Sequence, residues 1–158
     1  MTLAEILLGK LANWQSPEEG RCTLTAGEEG TGWSAAVTTD RREALSCLVW
    51  EMAVRCSQDQ GATALQAWAE RIARRVTGLL EPLKVVEVDV TRNEAILRST
   101  EPHCRAGDVF YYEVFLHGTC AATLRRYHAQ TQRRTRRLQV PFPLTHEALS
   151  KLACDLTA

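Results

Sequence analysis

Six arginines, Arg125, Arg126, Arg133, Arg134, Arg136 and Arg137, fall within thirteen residues. A guanidinium group grips phosphates and carboxylates through paired N–H donors and stacks on aromatic faces. Tyr127 lies inside the run, and Tyr111 and Tyr112 stand on the segment before it. Arginines flanking exposed rings on a sheet are one way to hold single-stranded nucleic acid or another polyanion. The same groups suit an acidic protein, including the Glu18, Glu19, Glu28 and Glu29 segment of a second copy of the chain. A solvated strand edge that resists aggregation accounts for them with no partner at all.

A second group of reactive types is His103, Cys104, Asp108 and His128. A cysteine beside a histidine oriented by a carboxylate can form a thiolate nucleophile. No local sequence here matches a nucleophile motif, so no catalytic residue is assigned. The modest reading is a polar loop end in which Asp108 offsets nearby arginines. His117 and Cys120 bracket a turn and have ligand chemistry, but zinc needs three or four protein ligands. His103 and Cys104 lie at the opposite end of the intervening strand, roughly 25–30 Å away at about 3.3 Å per residue. The glycine-rich stretch 27–32 lacks the lysine of a phosphate-binding loop and reads as a hairpin connection. No metal and no cofactor is therefore expected.

These side chains depend on one strand for their placement. Val109 to His117 is rich in aromatic and β-branched residues, with Phe110, Tyr112, Val114 and Leu116 on an apolar face and a mixed set on the other. Gly118-Thr119 suits a two-residue hairpin turn. That turn places His117 opposite Cys120, Tyr112 opposite Arg125, Tyr111 opposite Arg126 and Val109 opposite His128. Residues 129–133 read as a loop and 134–140 as a further strand. Its arginines point to both faces, which predicts an edge.

Helices and strands are expected around it. Thr2 and Glu5 form a capping box before the stripe Leu3, Ile6, Leu7, Leu11 and Trp14. Two strands follow, at 21–26 and 33–39. Asp40 and Glu43 signal a second helix running to Cys56, with Leu45, Leu48, Val49, Met52 and Cys56 buried. A third helix covers 64–81 on Leu65, Trp68, Ile72, Val76, Leu79 and Leu80, and Pro82 stops it. A strand over 83–90 presents Val86, Val88 and Val90. Thr145 caps a closing helix that buries Leu149, Leu152, Ala153 and Leu156. The segments 43–48 and 147–152 share the pattern EALSxL and both read as helix openings, a faint sign of duplication.

The fold class expected is α+β, an antiparallel sheet of about five to seven strands covered by about four helices. One domain over 1–158 is expected, with a lobe boundary at the polar stretch 58–61 between an α-β-β-α half (1–57) and an α-β(5)-α half (62–158). Net charge is zero, so no overall field draws the chain to nucleic acid or membrane. Six cysteines without a CxxC pair, no basic leader and no apolar run of membrane length suggest reduced thiols and a cytoplasmic protein. The leading expectation is a non-enzymatic interaction module, adaptor or chaperone-like, whose basic, aromatic-flanked edge holds a protein partner or a second copy. Nucleic-acid or polyanion binding through Arg125–Arg137 is the alternative, and a small thiol-dependent enzyme the third.

Overall fold

Thr2 Oγ1 accepts the Glu5 N–H at 3.2 Å while Glu5 Oε2 accepts the Thr2 N–H at 2.7 Å, so helix α1 (Leu3–Ala12) starts at the capping box the sequence announces. The computed structural model describes residues 1–14, 20–27, 32–59, 61–132 and 136–157. After α1 come β1 (Cys22–Gly27), β2 (Ser34–Arg42) and β3 (Ser46–Arg55). A 3₁₀ turn (Ala62–Ala64) leads into α2 (Leu65–Arg75). Then follow β4 (Leu83–Asp89), β5 (Glu94–Ser99), β6 (His103–Arg105), β7 (Asp108–His117), β8 (Ala121–Gln130), β9 (Leu138–Val140) and β10 (Phe142–Thr145). Helix α3 (His146–Thr157) is the last element.

The expected sheet of five to seven strands under about four helices is corrected. Among the described residues the chain is mostly sheet: ten antiparallel strands form one sheet, with only three short helices. The main order is β1-β2-β3-β8-β7-β5-β4. β6 continues along β7 beyond β5, while β9 and β10 pair with β8 and β3.

The missing helix is the one expected over 40–56, which is β3. Its buried residues are Cys47, Val49, Met52 and Val54. They alternate as a strand requires except for the three-residue step from Val49 to Met52. At that step the pairing with β2 slips, from Thr38↔Glu51 to Thr39↔Val49, leaving Trp50 unpaired as a bulge. The bulge converts strand spacing into an apparent helical spacing. Asp40, expected to cap that helix, lies on β2 and pairs with Arg21 at 2.8 Å. The EALSxL echo therefore joins a β2–β3 turn to a true helix, and the two segments share no structure.

All three helices lie on one side of the sheet. α1 packs on α3 and β1, α2 on β4 and β5, and α3 on β3 and β10. Between them and the sheet lies one cluster that includes Leu7, Met52, Leu65, Ile72, Leu97, Val114, Leu124, Leu149 and Leu156, all inaccessible to solvent. Burying a side chain of that size is worth roughly 1.5–3 kcal/mol. Two buried polar ties fix the helices: the Trp68 indole N–H donates to Leu156 O at 3.0 Å, and Ser150 Oγ donates to Ala4 O at 2.7 Å. Thr145 Oγ1 accepts the Ala148 N–H at 3.0 Å, the cap expected for α3. α2 ends earlier than the sequence suggests, at Arg75, and leaves Leu80 exposed. The sheet runs across the polar stretch 58–61, since β3 before it pairs with β8 after it.

β3 and β8 pair only at Met52–Arg55 with Leu124–Ala121, then diverge. The chain enters the resulting fork along β8 (Leu138↔His128, Val140↔Arg126), turns at Pro141, and leaves along β3 (Phe142↔Val49, Thr145↔Ser46). Proline lacks the N–H that a ladder would use, so a bend there costs no hydrogen bond. In the apex, Gln139 Nε2 donates to the carbonyl of the bulged Trp50 at 2.9 Å. The expected basic edge is corrected in part: Arg125 and Arg126 lie on β8, an interior strand, while β9, at the end of the arginine run, pairs with β8 alone among the described residues; the outer strands of the main order are β1 and β4. Among the described residues, no helix is long and apolar enough to cross a membrane.

Candidate functional site on the uncovered sheet face

The two faces of β7 separate as its alternation requires. Tyr112, Val114 and Leu116 enter the core, and Tyr111, Glu113, Phe115 and His117 belong to the face that carries no helix among the described residues. The register with β8 differs from expectation by one residue. Gly118, Thr119 and Cys120 make a three-residue connection, His117 faces Ala121, and Tyr112 faces Arg126. A two-residue turn fails because neighbouring loops grip this one. Gly118 takes φ +59° and donates to Asn93 O at 2.7 Å, and any Cβ there would strike Asp59 Oδ2. The Asp59 carboxylate accepts from Thr119 Oγ1 at 2.7 Å, Asn93 Nδ2 at 3.0 Å and the Gly61 N–H at 2.8 Å. The Thr119 hydroxyl and the Gly61 amide hold its acidity above that of an ordinary aspartic acid.

A slip of one residue exchanges faces. It puts Arg126 in the core and Arg125 on the uncovered face opposite Glu113. In the core, the Arg126 Nη1 donates to Glu81 Oε1 at 3.1 Å, and its guanidinium lies 4.2 Å from the Tyr112 ring centre. Ser99 Oγ donates to the same Glu81 Oε1 at 3.0 Å and accepts the Tyr112 N–H at 2.8 Å. Arg126 is thus a structural residue, closed to any partner.

On the uncovered face the cations and carboxylates interlock across five strands. Arg21 lies 3.7 Å over Trp50 and pairs with Asp40. Arg125 Nε donates to Glu51 Oε2 at 3.0 Å. Arg137, just before β9, donates Nη1 to Glu113 Oε2 at 2.7 Å and to the Tyr111 hydroxyl at 3.2 Å. Its guanidinium covers the Tyr127 ring at 3.8 Å. Arg98 on β5 closes the other side of Glu113 at 2.9 Å. Tyr111 and Tyr127 sit side by side, 5.8 Å apart. Burial pushes the Glu113 carboxyl up, but the hydrogen bonds from Arg137 and Arg98 outweigh it and hold the group below the usual carboxylate range. The Glu113 bond likewise raises Arg137 further above its ordinary basicity. The face is an organised ladder of rings, guanidinium groups and carboxylates. Arg136 is exposed, and Arg133 and Arg134 lie outside the described residues.

The second cluster assembles only in part. His128 Nε2 lies 2.8 Å from Asp108 Oδ1, and His128 stacks on Phe110 at 4.7 Å, with His103 beyond it. The His128 bond lowers the Asp108 pKa. Cys104 pairs with Val109, while His103 pairs with Phe110, so the cysteine points to the opposite face from Asp108 and His128. Its thiol donates instead to Pro102 O at 3.6 Å. The Cys–His–Asp relay therefore does not form. At the other end of the strand, Cys120 Sγ donates to His117 O at 3.6 Å and His117 lies 3.8 Å from Glu94. Among the described residues, no three His, Cys, Asp or Glu side chains come together as metal ligands.

Sequence reasoning centred on the arginines and missed their anchors, Glu51, Glu113, Arg98 and Trp50. Glu113 carried a signal, a carboxylate midway along an otherwise apolar strand; its partners could be named only once the register was known. Compared with protein-family models, curated proteins and solved structures, the chain matches none.

Proposed function

We propose that this protein is a non-enzymatic interaction module that holds a protein partner against the uncovered face of its sheet. The observation carrying this reading is the asymmetry of the fold. Three helices crowd one side, and the other presents Trp50, Arg125, Tyr111 and Phe115 on interior strands, with Arg21 just before β1 and Arg137 just before β9 beside them. Arg and aromatic residues are the types that dominate binding energy at interfaces. Here Arg21, Trp50, Arg125, Arg137 and Tyr111 are already oriented by neighbours, so little of their side-chain entropy remains to be lost on docking. Glu51, Glu113 and Asp40 offset much of the positive charge, which favours a mixed protein surface over a polyanion.

The test compares wild type with an Arg137→Ala/Tyr111→Ala variant as bait for a cell lysate, with and without nuclease. Sedimentation equilibrium of the purified chain reads self-association in parallel. A protein retained by wild type, lost by the variant and insensitive to nuclease supports the reading. Oligonucleotide binding that falls steeply between two salt concentrations, with capture lost after nuclease, replaces it with polyanion binding.

A further inference from the structure

At the β4–β5 end of the uncovered face, Lys84 and Arg98 stand directly opposite each other on neighbouring strands. Like charges in that relation destabilise a sheet. Arg98 has a carboxylate on its other side, since its Nε binds Glu113. Its side chain remains 41% exposed, and that Nε is its one hydrogen-bonding atom among the described residues, so the two terminal nitrogens are unspent. Lys84 makes no ion pair or hydrogen bond among the described residues.

The backbone makes a hollow beside this pair. The β4–β5 register shifts between Val85 and Glu87, so Val86 is an extra residue, 47% exposed. On the other side the chain leaves β5 after Ser99 and resumes pairing with β7 only at His103. Between the bulge and the gap lies a concavity of about 370 Å³, bounded by Lys84, Arg98, Tyr111, Val86, Val109 and Pro102. That volume falls near the lower end of small-ligand sites, roughly 300–1,000 Å³. Its rim of the gap is fixed, because Thr100 bonds Pro82 O through both its amide and its hydroxyl.

The lining chemistry is one-sided. The Tyr111 hydroxyl accepts from Arg137, which leaves its own proton to donate. Ser99 and Thr100 also line it, but their hydroxyls donate to Glu81 and to Pro82 O. The polar groups left to bind are thus an ammonium, a guanidinium edge and a phenol O–H, with no carboxylate in the wall, and the rest is aliphatic or aromatic. We infer that this hollow is a binding site for a small organic anion, a flat apolar body carrying one carboxylate held between Lys84 and Arg98. The apolar body lies against Val86, Val109 and Pro102. The site does not depend on the protein-docking reading above.

The probe is naphthalene-2-carboxylate, with naphthalene-2-carboxamide as its neutral counterpart, titrated into ¹⁵N-labelled protein. The carboxylate is expected to saturate, with shifts centred on Lys84, Arg98 and Tyr111, and to bind more tightly than the amide. Lys84→Gln removes one charged contact and should weaken the carboxylate about fivefold to tenfold while leaving the amide unchanged. Raising salt on the wild-type protein gives the same discrimination without a variant. Equal binding of the two probes, shifts centred elsewhere, or no saturation with the carboxylate overturns the assignment.

Discussion

Replacing Glu81 by Met breaks the buried pair with Arg126 and leaves the arginine charged in the core. Both side chains are almost fully enclosed, at 9% and 7% exposure. Removing one member of such a pair costs about 3–5 kcal/mol, because the remaining charge is neither solvated nor neutralised. The loss is compounded by Ser99, whose hydroxyl donates to Glu81 and supports the Tyr112 amide. For a domain of this size each kcal/mol moves Tm by roughly 2–4 °C, so the expected drop is roughly 6–20 °C. The double replacement Glu81→Met/Arg126→Met removes the orphaned charge and fills the space with apolar volume. It should recover most of the loss, since buried pairs exchanged for apolar residues are often neutral or stabilising. Thermal and urea denaturation of the two single variants and the double variant complete the cycle. If Glu81→Met costs under about 1 kcal/mol, or if the double variant shows the sum of the two single losses, the burial argument is wrong.

Two further outcomes follow from the uncovered face and the thiols. The Glu113 carboxyl has a folded pKa below its ordinary 4.5, so its contribution is complete above about that pH and fades as pH falls through the lower folded value. Glu113→Gln should therefore be less stable than wild type at pH 7, by roughly 1–3 kcal/mol for lost charge-assisted bonds. The gap should narrow in acid, and urea midpoints measured from pH 7 to pH 3 would show it; a gap independent of pH contradicts the assignment. Burial pushes the Cys47 thiol up to about 11, whereas Cys104 and Cys154 are exposed. Timed alkylation at pH 8 read by mass spectrometry should modify Cys104 and Cys154 first and Cys47 last. A Cys104 faster than a model thiol would reopen thiol chemistry there.

Much of the local structure was legible because local signals were unopposed. Thr2 and Glu5 cap α1, Thr145 caps α3, and of the stripe expected over 64–81, Leu65, Trp68, Ile72 and Val76 are buried, Leu79 is partly buried and Leu80 is exposed beyond the end of α2. On β7, Tyr112, Val114 and Leu116 lie in the core as expected, while Phe110 is only half-buried, stacked on His128. What failed depended on partners remote in sequence. The Trp50 bulge is imposed by pairing with β2 and by Gln139, neither visible from 46–55. The extra residue at Val86 likewise breaks the Val86, Val88, Val90 stripe, leaving Val88 packed inward and Val86 and Val90 exposed. The Gly118 turn is three residues long because Asp59 and Asn93 hold it. From that one-residue difference came the error that mattered for function, the placing of Arg125 and Arg126 on the wrong faces.

The fork between β3 and β8 has a bearing on how the chain reaches this structure. Its two arms lie at 46–49 and 126–128, and the segment that fills it, 138–145, comes after both. Until that segment arrives, each arm is a strand with one row of amides and carbonyls unsatisfied, open to pairing with another chain. Contacts so far apart in sequence also form slowly, since the intervening loop must close first. A nascent or partly unfolded molecule therefore exposes an inward-facing, sticky seam that the finished sheet conceals, and Pro141 sits where that seam is closed.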